Sequence, residues 1–387
     1  MGKALPFPKF YDPHNVSDWN YAPDLQEVLL EAQEYVRRND IKPASTAKVR
    51  IGVLGIDNQK DFCYPPDARV VRGKPRGGTL YVAGRSGTGA IDDSRRYTEF
   101  LYRNAAHITN IWDTMDTHFL YQCFFPTFWL LENGQHPNPH TLIDLNAHEQ
   151  LVNLDLAGKE IGAVRVNPAI MSWLLPGVSP SAAFTWATKQ MEFYARQLKL
   201  PKGQYSKTPY TLYLWPFHCI LGGDGHALVG SIQEARMFVA AARGIQSYRE
   251  VKGGNEWSEN YGIISAEVLE RHDGKGQIAQ KNVAFLKKLL EHDIIIIGGQ
   301  AASHCVKSSI EQILDGIVAQ DPKLAKKVYI LEDCMSAVTV PDGKGGFAAD
   351  FTPQAEAAIL EFKKAGMHVV QSTDSIESWP GVGSLAA

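Results

Sequence analysis

The segment Ile294-Ile-Ile-Ile-Gly-Gly-Gln-Ala-Ala-Ser-His-Cys305 constrains the fold more than any other. Four consecutive β-branched residues suit a strand covered on both faces, the situation of a parallel sheet inside an α/β protein. Gly298-Gly299 lets the backbone leave that strand sharply. Beyond it, Val306, Ile310, Ile313, Leu314 and Ile317 recur at helical spacing. The Cys305 thiol is therefore expected at or near a helix N-terminus, whose partial positive charge favours thiolate. A lone cysteine in such a place is more often a small buried apolar residue, so a nucleophile requires other reactive groups to converge on it.

Composition narrows the classes. The chain has 387 residues, of which 44% are hydrophobic and 21% charged, with a formal net charge of -3, a balance that fits a globular protein with a large core. It gives no electrostatic reason to bind nucleic acid or an acidic membrane. Five scattered cysteines without a Cys-x-x-Cys pair (Cys63, Cys123, Cys219, Cys305, Cys334) argue against a disulfide framework or zinc finger and for reduced thiols in the cytoplasm. The N-terminus shows no basic stretch followed by an apolar one, and no apolar run approaches the roughly 18 residues that span a bilayer. No targeting or membrane segment is expected.

Strands and helices alternate along the chain as in a wound parallel sheet. Strands are expected over 49–56, 107–112, 248–251, 328–331 and 367–370, and from Ile294 up to the exit at Gly298-Gly299. Helices are expected over 24–38, 92–104 and 182–198, after Cys305, and from Thr352 as N-cap with Pro353 at the first helical position, closed by Gly366. Ligands of open α/β sheets bind outside the carboxyl ends of the strands. Asp57, Asp116, His118, Lys252 and Cys305 all fall there. Residues 1–46, rich in Pro, Asn and Asp, form an expected N-terminal extension; 47–387 form the main domain, interrupted by a long insert at about 134–212. That insert is expected to be a lid, an oligomerisation arm or decoration.

Five segments carry a resemblance when taken in order: Asp57-Asn-Gln-Lys-Asp-Phe-Cys63, Asp116-Thr-His118, Trp215-Pro-Phe-His-Cys219, Val251-Lys-Gly253 and Gly299-Gln-Ala-Ala-Ser-His-Cys305. Together they resemble the isochorismatase-like cysteine hydrolase superfamily, most of all its metal-containing nicotinamidase branch. The resemblance implies a three-layer α/β fold with a roughly six-stranded parallel sheet flanked by helices. It also implies a catalytic set of Asp57, Lys252 and Cys305. Chemistry supports that set: amide hydrolysis by a thiol needs a proton carrier, a charge partner and a cradle for the oxyanion. Taken singly, a strand-end Asp often caps a helix and a Lys usually faces solvent.

The resemblance further places a cis peptide between Gln300 and Ala301, with the backbone N–H groups of Ala301 and Cys305 as the oxyanion cradle. Asp116, His118 and His218 form an expected two-His, one-carboxylate set for a divalent metal ion, with zinc expected and iron or manganese compatible. Side chains alternate along an extended segment, so Asp-x-His presents both groups on one face. A further histidine of some relatives is Phe124 here. Phe62 and Trp215 match aromatic pocket positions, Trp257 or Tyr261 is expected to add a wall, and His304 to touch substrate or fill space. The expected reaction converts a small primary amide such as nicotinamide to its acid and ammonia. Another small amide or carbamoyl compound, or an idle binding or scaffold role, stays open. The resemblance and the insert imply a homo-oligomer.

Overall fold

The computed structural model describes residues 5–383, so both ends of the expected 1–46 extension and 47–387 domain reach beyond the described residues. Six strands form the main sheet: β1 (Ile51–Ile56), β2 (Asn110–Asp116), β3 (Tyr248–Lys252), β4 (Ile294–Gly299), β5 (Val328–Leu331) and β6 (His368–Val370). Their spatial order is β3-β2-β1-β4-β5-β6, and every neighbouring pair runs parallel. The longer helices are α1 (Leu25–Asn39), α2 (Gly89–Arg103), α3 (Pro180–Gln197), α4 (Gly230–Arg243), α5 (Val283–Leu290), α6 (Cys305–Val318) and α7 (Thr352–Lys364).

Alternation along the strands builds two cores. Ile294 and Ile296 of β4 join one with α1, α2 and α4; Ile295 and Ile297 join the other with α5, α6 and α7. All six residues of β1 and of β4 are buried, which is why their sequences carry no polar alternation. The N-terminal extension belongs to the first core: Val28, Ala32 and Tyr35 of α1 are buried there, and Tyr35 meets Phe238 of α4 edge-on at 5.0 Å.

The insert has a core of its own. Strands Trp129–Leu131, Glu160–Val166, Leu151–Leu154, Leu142–Leu145 and Leu212–Tyr213 lie in that spatial order as an antiparallel sheet, so its sheet reaches outside the 134–212 span on both sides. Ala183, Ala187, Met191 and Tyr194 of α3 pack with Trp129, Ile143 and Val164 against that sheet.

Several boundaries differ from the sequence expectation. β2 starts and ends later than 107–112, because polar Asp113 and Thr114 sit inside it with buried partners, Arg236 and Asp57 respectively. Thr352 is the first residue of α7 rather than its N-cap; Phe351 holds the cap position, and the Asp350 carboxylate accepts the Thr352 N–H at 2.9 Å. Among the described residues no helix is long and apolar enough to cross a membrane, and all five cysteines are free and buried.

Candidate functional site

The chain connections turn in opposite directions from β1 and β4, which opens a crevice at their carboxyl ends. Asp57 follows β1 with φ of +45°, Asp116 and Lys252 are the last residues of β2 and β3, and Cys305 begins α6 after the turn from β4. Four adjacent strands thus aim their ends at one point. Gly299, at φ +126°, could carry no side chain, because a Cβ would lie 2.1 Å from the Ile56 carbonyl oxygen.

Lys252 is the hub. Its Nζ lies 2.9 Å from Asp57 Oδ2, 3.0 Å from Asp116 Oδ1 and 3.7 Å from Cys305 Sγ, and donates to the Asn260 carbonyl at 3.1 Å. Burial alone would discharge this ammonium, but the charges of Asp116, Asp57 and Cys305 hold it well above the ordinary lysine range. Asp57 is fully buried; burial raises its proton affinity, against the pull of Lys252. The Thr114 hydroxyl donates to Asp57 Oδ1 and accepts the Asp57 N–H at 2.9 Å, fixing the carboxylate from behind. Burial also pushes the Cys305 thiol well up, and Lys252 only partly opposes this. The helix N-terminus therefore does not by itself make a resting thiolate, contrary to the sequence expectation: loss of solvent outweighs a partial charge. A thiol beside a buried carboxylate is the arrangement for proton transfer as an electrophile arrives.

The turn before α6 leaves donors free. The amides of Gln300, Ala302, His304 and Val306 donate to main-chain oxygens. Those of Ala301, Ser303 and Cys305 have no protein acceptor among the described residues. The Gln300–Ala301 peptide is cis.

The second set adjoins the first. Ligand atoms of Asp116, His118 and His218 all lie within 4.8 Å of one another, and all three residues are buried. His118 Nδ1 is 3.0 Å from the Gly253 carbonyl oxygen and His218 Nδ1 is 2.8 Å from that of Pro216. Each Nδ1 is engaged by a carbonyl oxygen, which leaves each Nε2 turned toward Asp116 Oδ2, at 3.0 and 3.7 Å. Two imidazole nitrogens converging on a carboxylate form a donor set that fits a divalent cation. Gly253, at φ +86°, keeps the space open, since a Cβ there would press on Asp116 Oδ1 at 2.5 Å. Phe124 lies edge-on to His118 at 4.8 Å and adds no ligand atom. We expect protein as purified to hold about one divalent ion per chain, and His218→Ala to lose most of it with a small change in melting; elemental analysis after gel filtration decides, and equal metal content would sink the site.

The aromatic residues divide. Phe62 lies 5.7 Å from the His218 ring, Trp215 6.4 Å from His218 and 5.9 Å from His304, and Tyr261 5.9 Å from His304. Phe351, 5.0 Å from His304, joins this group, and no sequence signal marked it. Trp257 does not join it: its ring packs edge-on to Phe128 and Trp186, and the contacts it makes there belong to the insert core. Gln59 was also missed. Its side chain accepts the Asp116 N–H at 2.7 Å and donates to the Asp116 carbonyl at 2.8 Å, holding the end of β2.

Glu259 is a third residue that no sequence signal marked. It is buried against Trp215, Tyr261 and Tyr194, and burial pushes its carboxyl up to about 7. Glu267 adds to the rise and the three donors oppose it. A carboxyl raised in the folded state contributes stability that is complete below its ordinary value of 4.5 and lost as pH climbs through about 7. The stability of Glu259→Gln relative to the unaltered protein should therefore rise by about 3 kcal/mol across that window. Denaturant titrations at both ends check this, and a pH-independent difference would refute it.

No protein-family profile and no curated protein matches this chain. Among solved structures, a nicotinamidase/pyrazinamidase of Acinetobacter baumanii shares 15% identity with it, covering 84% of this chain and 97% of that one at a TM-score of 0.42. The yeast nicotinamidase bound to the inhibitor nicotinaldehyde shares 16%, covering 83% and 99% at 0.44. The pyrazinamidase of Pyrococcus horikoshii in complex with zinc shares 14%, covering 83% and 99% at 0.39. Likeness at that level transfers no residue's role. The chain's own topology makes it an α/β protein with a six-stranded parallel sheet flanked by helices, whose carboxyl edge gathers an Asp, a Lys and a Cys beside an Asp-His-His cluster.

Proposed function

We propose that this chain is a cysteine amidohydrolase, nicotinamidase-like, which converts a small primary amide to its acid and ammonia through a thioester on Cys305. One observation carries the reading: a single buried ammonium, Lys252, touches Asp57, Asp116 and the Cys305 sulfur together. Burying two carboxylates and a thiol around one cation costs stability that an inert fold has no reason to spend.

In this reading the amide carbonyl enters beside Cys305, with its oxygen toward the free amides of Ala301 and Cys305. Asp57 accepts the thiol proton as sulfur bonds to the carbonyl carbon, and the two amides stabilise the oxyanion. Collapse breaks the carbon–nitrogen bond while Asp57 returns the proton to the leaving nitrogen, releasing ammonia. Asp57 then takes a proton from water, whose oxygen attacks the thioester; the acid leaves and the proton returns to sulfur. Lys252 stays charged and offsets the negative charge that moves between Asp57 and Cys305. Asp116, His118 and His218 would hold a divalent cation, zinc foremost, which supplies Lewis acidity at the crevice. Phe62, Trp215, Tyr261 and His304 would bind the acyl part. Free thiols and a dissolved small substrate suit the cytoplasm.

The test is ammonia release from a panel of primary amides, nicotinamide included, by metal-analysed protein. Turnover of one member identifies the substrate class. Silence across the panel by folded, metal-loaded protein would move the reading to a binding protein.

A further inference from the structure

The insert and the pocket wall are joined through one buried carboxyl. Glu259 is 3% exposed. Its Oε1 accepts from the Trp215 indole N–H at 3.2 Å and from the Tyr261 hydroxyl at 2.7 Å. Its Oε2 accepts from the Tyr194 hydroxyl at 3.2 Å, and its own N–H donates to that hydroxyl oxygen at 3.1 Å. Tyr194 is fully buried and belongs to α3, the long helix of the insert. The indole N–H also lies 3.1 Å from the Tyr261 oxygen, so the polar tips of both rings are tied together at Glu259.

The tie has a consequence for the pocket. Both rings meet His304, the residue before Cys305, at 5.9 Å. With the indole nitrogen and the phenol oxygen turned to Glu259, the rings offer carbon to whatever lies against them. Without that anchor each ring could rotate about two side-chain torsions and present its polar tip instead. Trp215 stands two residues beyond the insert's last strand, Leu212–Tyr213, and its ring lies 4.1 Å from that of Tyr213, so the insert holds this wall from two directions.

We propose that Glu259 is a positioning residue through which the insert, by way of Tyr194, sets the orientation of Trp215 and Tyr261 and so the enzyme's selectivity among amides. This rests on the amidohydrolase reading for its kinetic consequence but not for its binding consequence. Tyr194→Phe removes only the hydroxyl that links α3 to Glu259. Glu259→Ala removes the anchor, and Glu259→Gln keeps an acceptor for both rings.

The experiment measures benzamide affinity by calorimetry in a Cys305→Ala background, and kcat and KM for benzamide and propionamide with Cys305 intact. In Tyr194→Phe and Glu259→Ala we expect benzamide affinity to fall about 10-fold, the loss of one well-oriented aromatic contact. The benzamide KM rises in step, kcat stays within about 3-fold and propionamide kinetics hardly change. Glu259→Gln stays within about 2-fold of the parent. Unchanged benzamide affinity in both disrupting variants overturns the proposal, as does absence of benzamide binding to the parent. If the parent releases no ammonia yet the affinity pattern appears, the amidohydrolase reading fails and the positioning role stands.

Discussion

Cys305→Ala is expected to lose at least about 10,000-fold in ammonia release on any amide the unaltered protein hydrolyses, because in the proposed reaction the step that breaks the amide passes through the sulfur. Among the described residues the two groups beside the sulfur are poor replacements: Asp57 is enclosed by Lys252 and Thr114, and Lys252 is held as an ammonium by three neighbours. The variant should remain folded, since Cys305 is 8% exposed and its replacement removes one atom from the edge of the second core. A melting temperature near that of the parent, with no turnover, separates chemistry from collapse. Acid-quenching the parent during turnover should show by intact mass an acyl group on the peptide carrying Cys305, and none in the variant. Activity within ten-fold of the parent, or an adduct elsewhere, would remove Cys305 from the mechanism and leave hydrolysis to water at the neighbouring cluster.

Lys252→Met is the second large effect, and it acts on stability as well as rate. The ammonium is shared by Asp57 and Asp116, whose nearer oxygens it contacts at 2.9 and 3.0 Å. Methionine fills most of the volume but leaves two buried carboxylates facing one another. Removing one member of a buried ionic cluster typically costs about 3 to 5 kcal/mol. At neutral pH the variant should melt well below the parent, and it should regain part of the difference on acidification. The sign follows from Asp57: its proton affinity is already raised by burial, and losing Lys252 raises it further, so protonation relieves the strain as pH falls. Turnover should fall about 1,000-fold or more, since the charge that faces the reacting sulfur is gone. Parent-like melting and turnover at neutral pH would show that Lys252 is incidental.

Both predictions rest on residues legible before the fold was known, and the reason is local. Ile294 to Ile297 followed by two glycines has few conformations open to it, and the apolar positions after Cys305 repeat at helical spacing, so a strand, a tight turn and a helix start are written in one segment. Asp57, Asp116 and Lys252 were recognisable because each stands at the end of a β-rich run, and a parallel sheet sends all such ends to the same edge. The Asp-x-His pair could be assigned to one face from strand alternation alone.

Other features depended on contacts distant in sequence. Thr114 and Gln59 matter through bonds to residues 57 positions away. Glu259 gains meaning only when Tyr194 of the insert, 65 positions earlier, comes to rest on it. Trp257 looked like a pocket wall beside Tyr261, yet the insert's own apolar core claimed it. The polar residues inside β2 shortened the expected strand because a one-dimensional pattern does not reveal that Arg236 and Asp57 wait across the interface.

By itself the sequence determined the class of fold, the parallel sheet, the thiol at the helix start and the placing of Asp116 and His118 on one face, because these follow from periodicity and from chemistry carried within a few neighbouring residues. Only the tertiary structure decided the charge state of the site and the architecture of its wall. Burial of Cys305 raises the thiol despite the helix end, one lysine is shared among three partners, and an insert is tied to the pocket through Glu259. Each of these is set by desolvation and by contacts between segments far apart in the chain, and both come into being only when the chain has closed on itself.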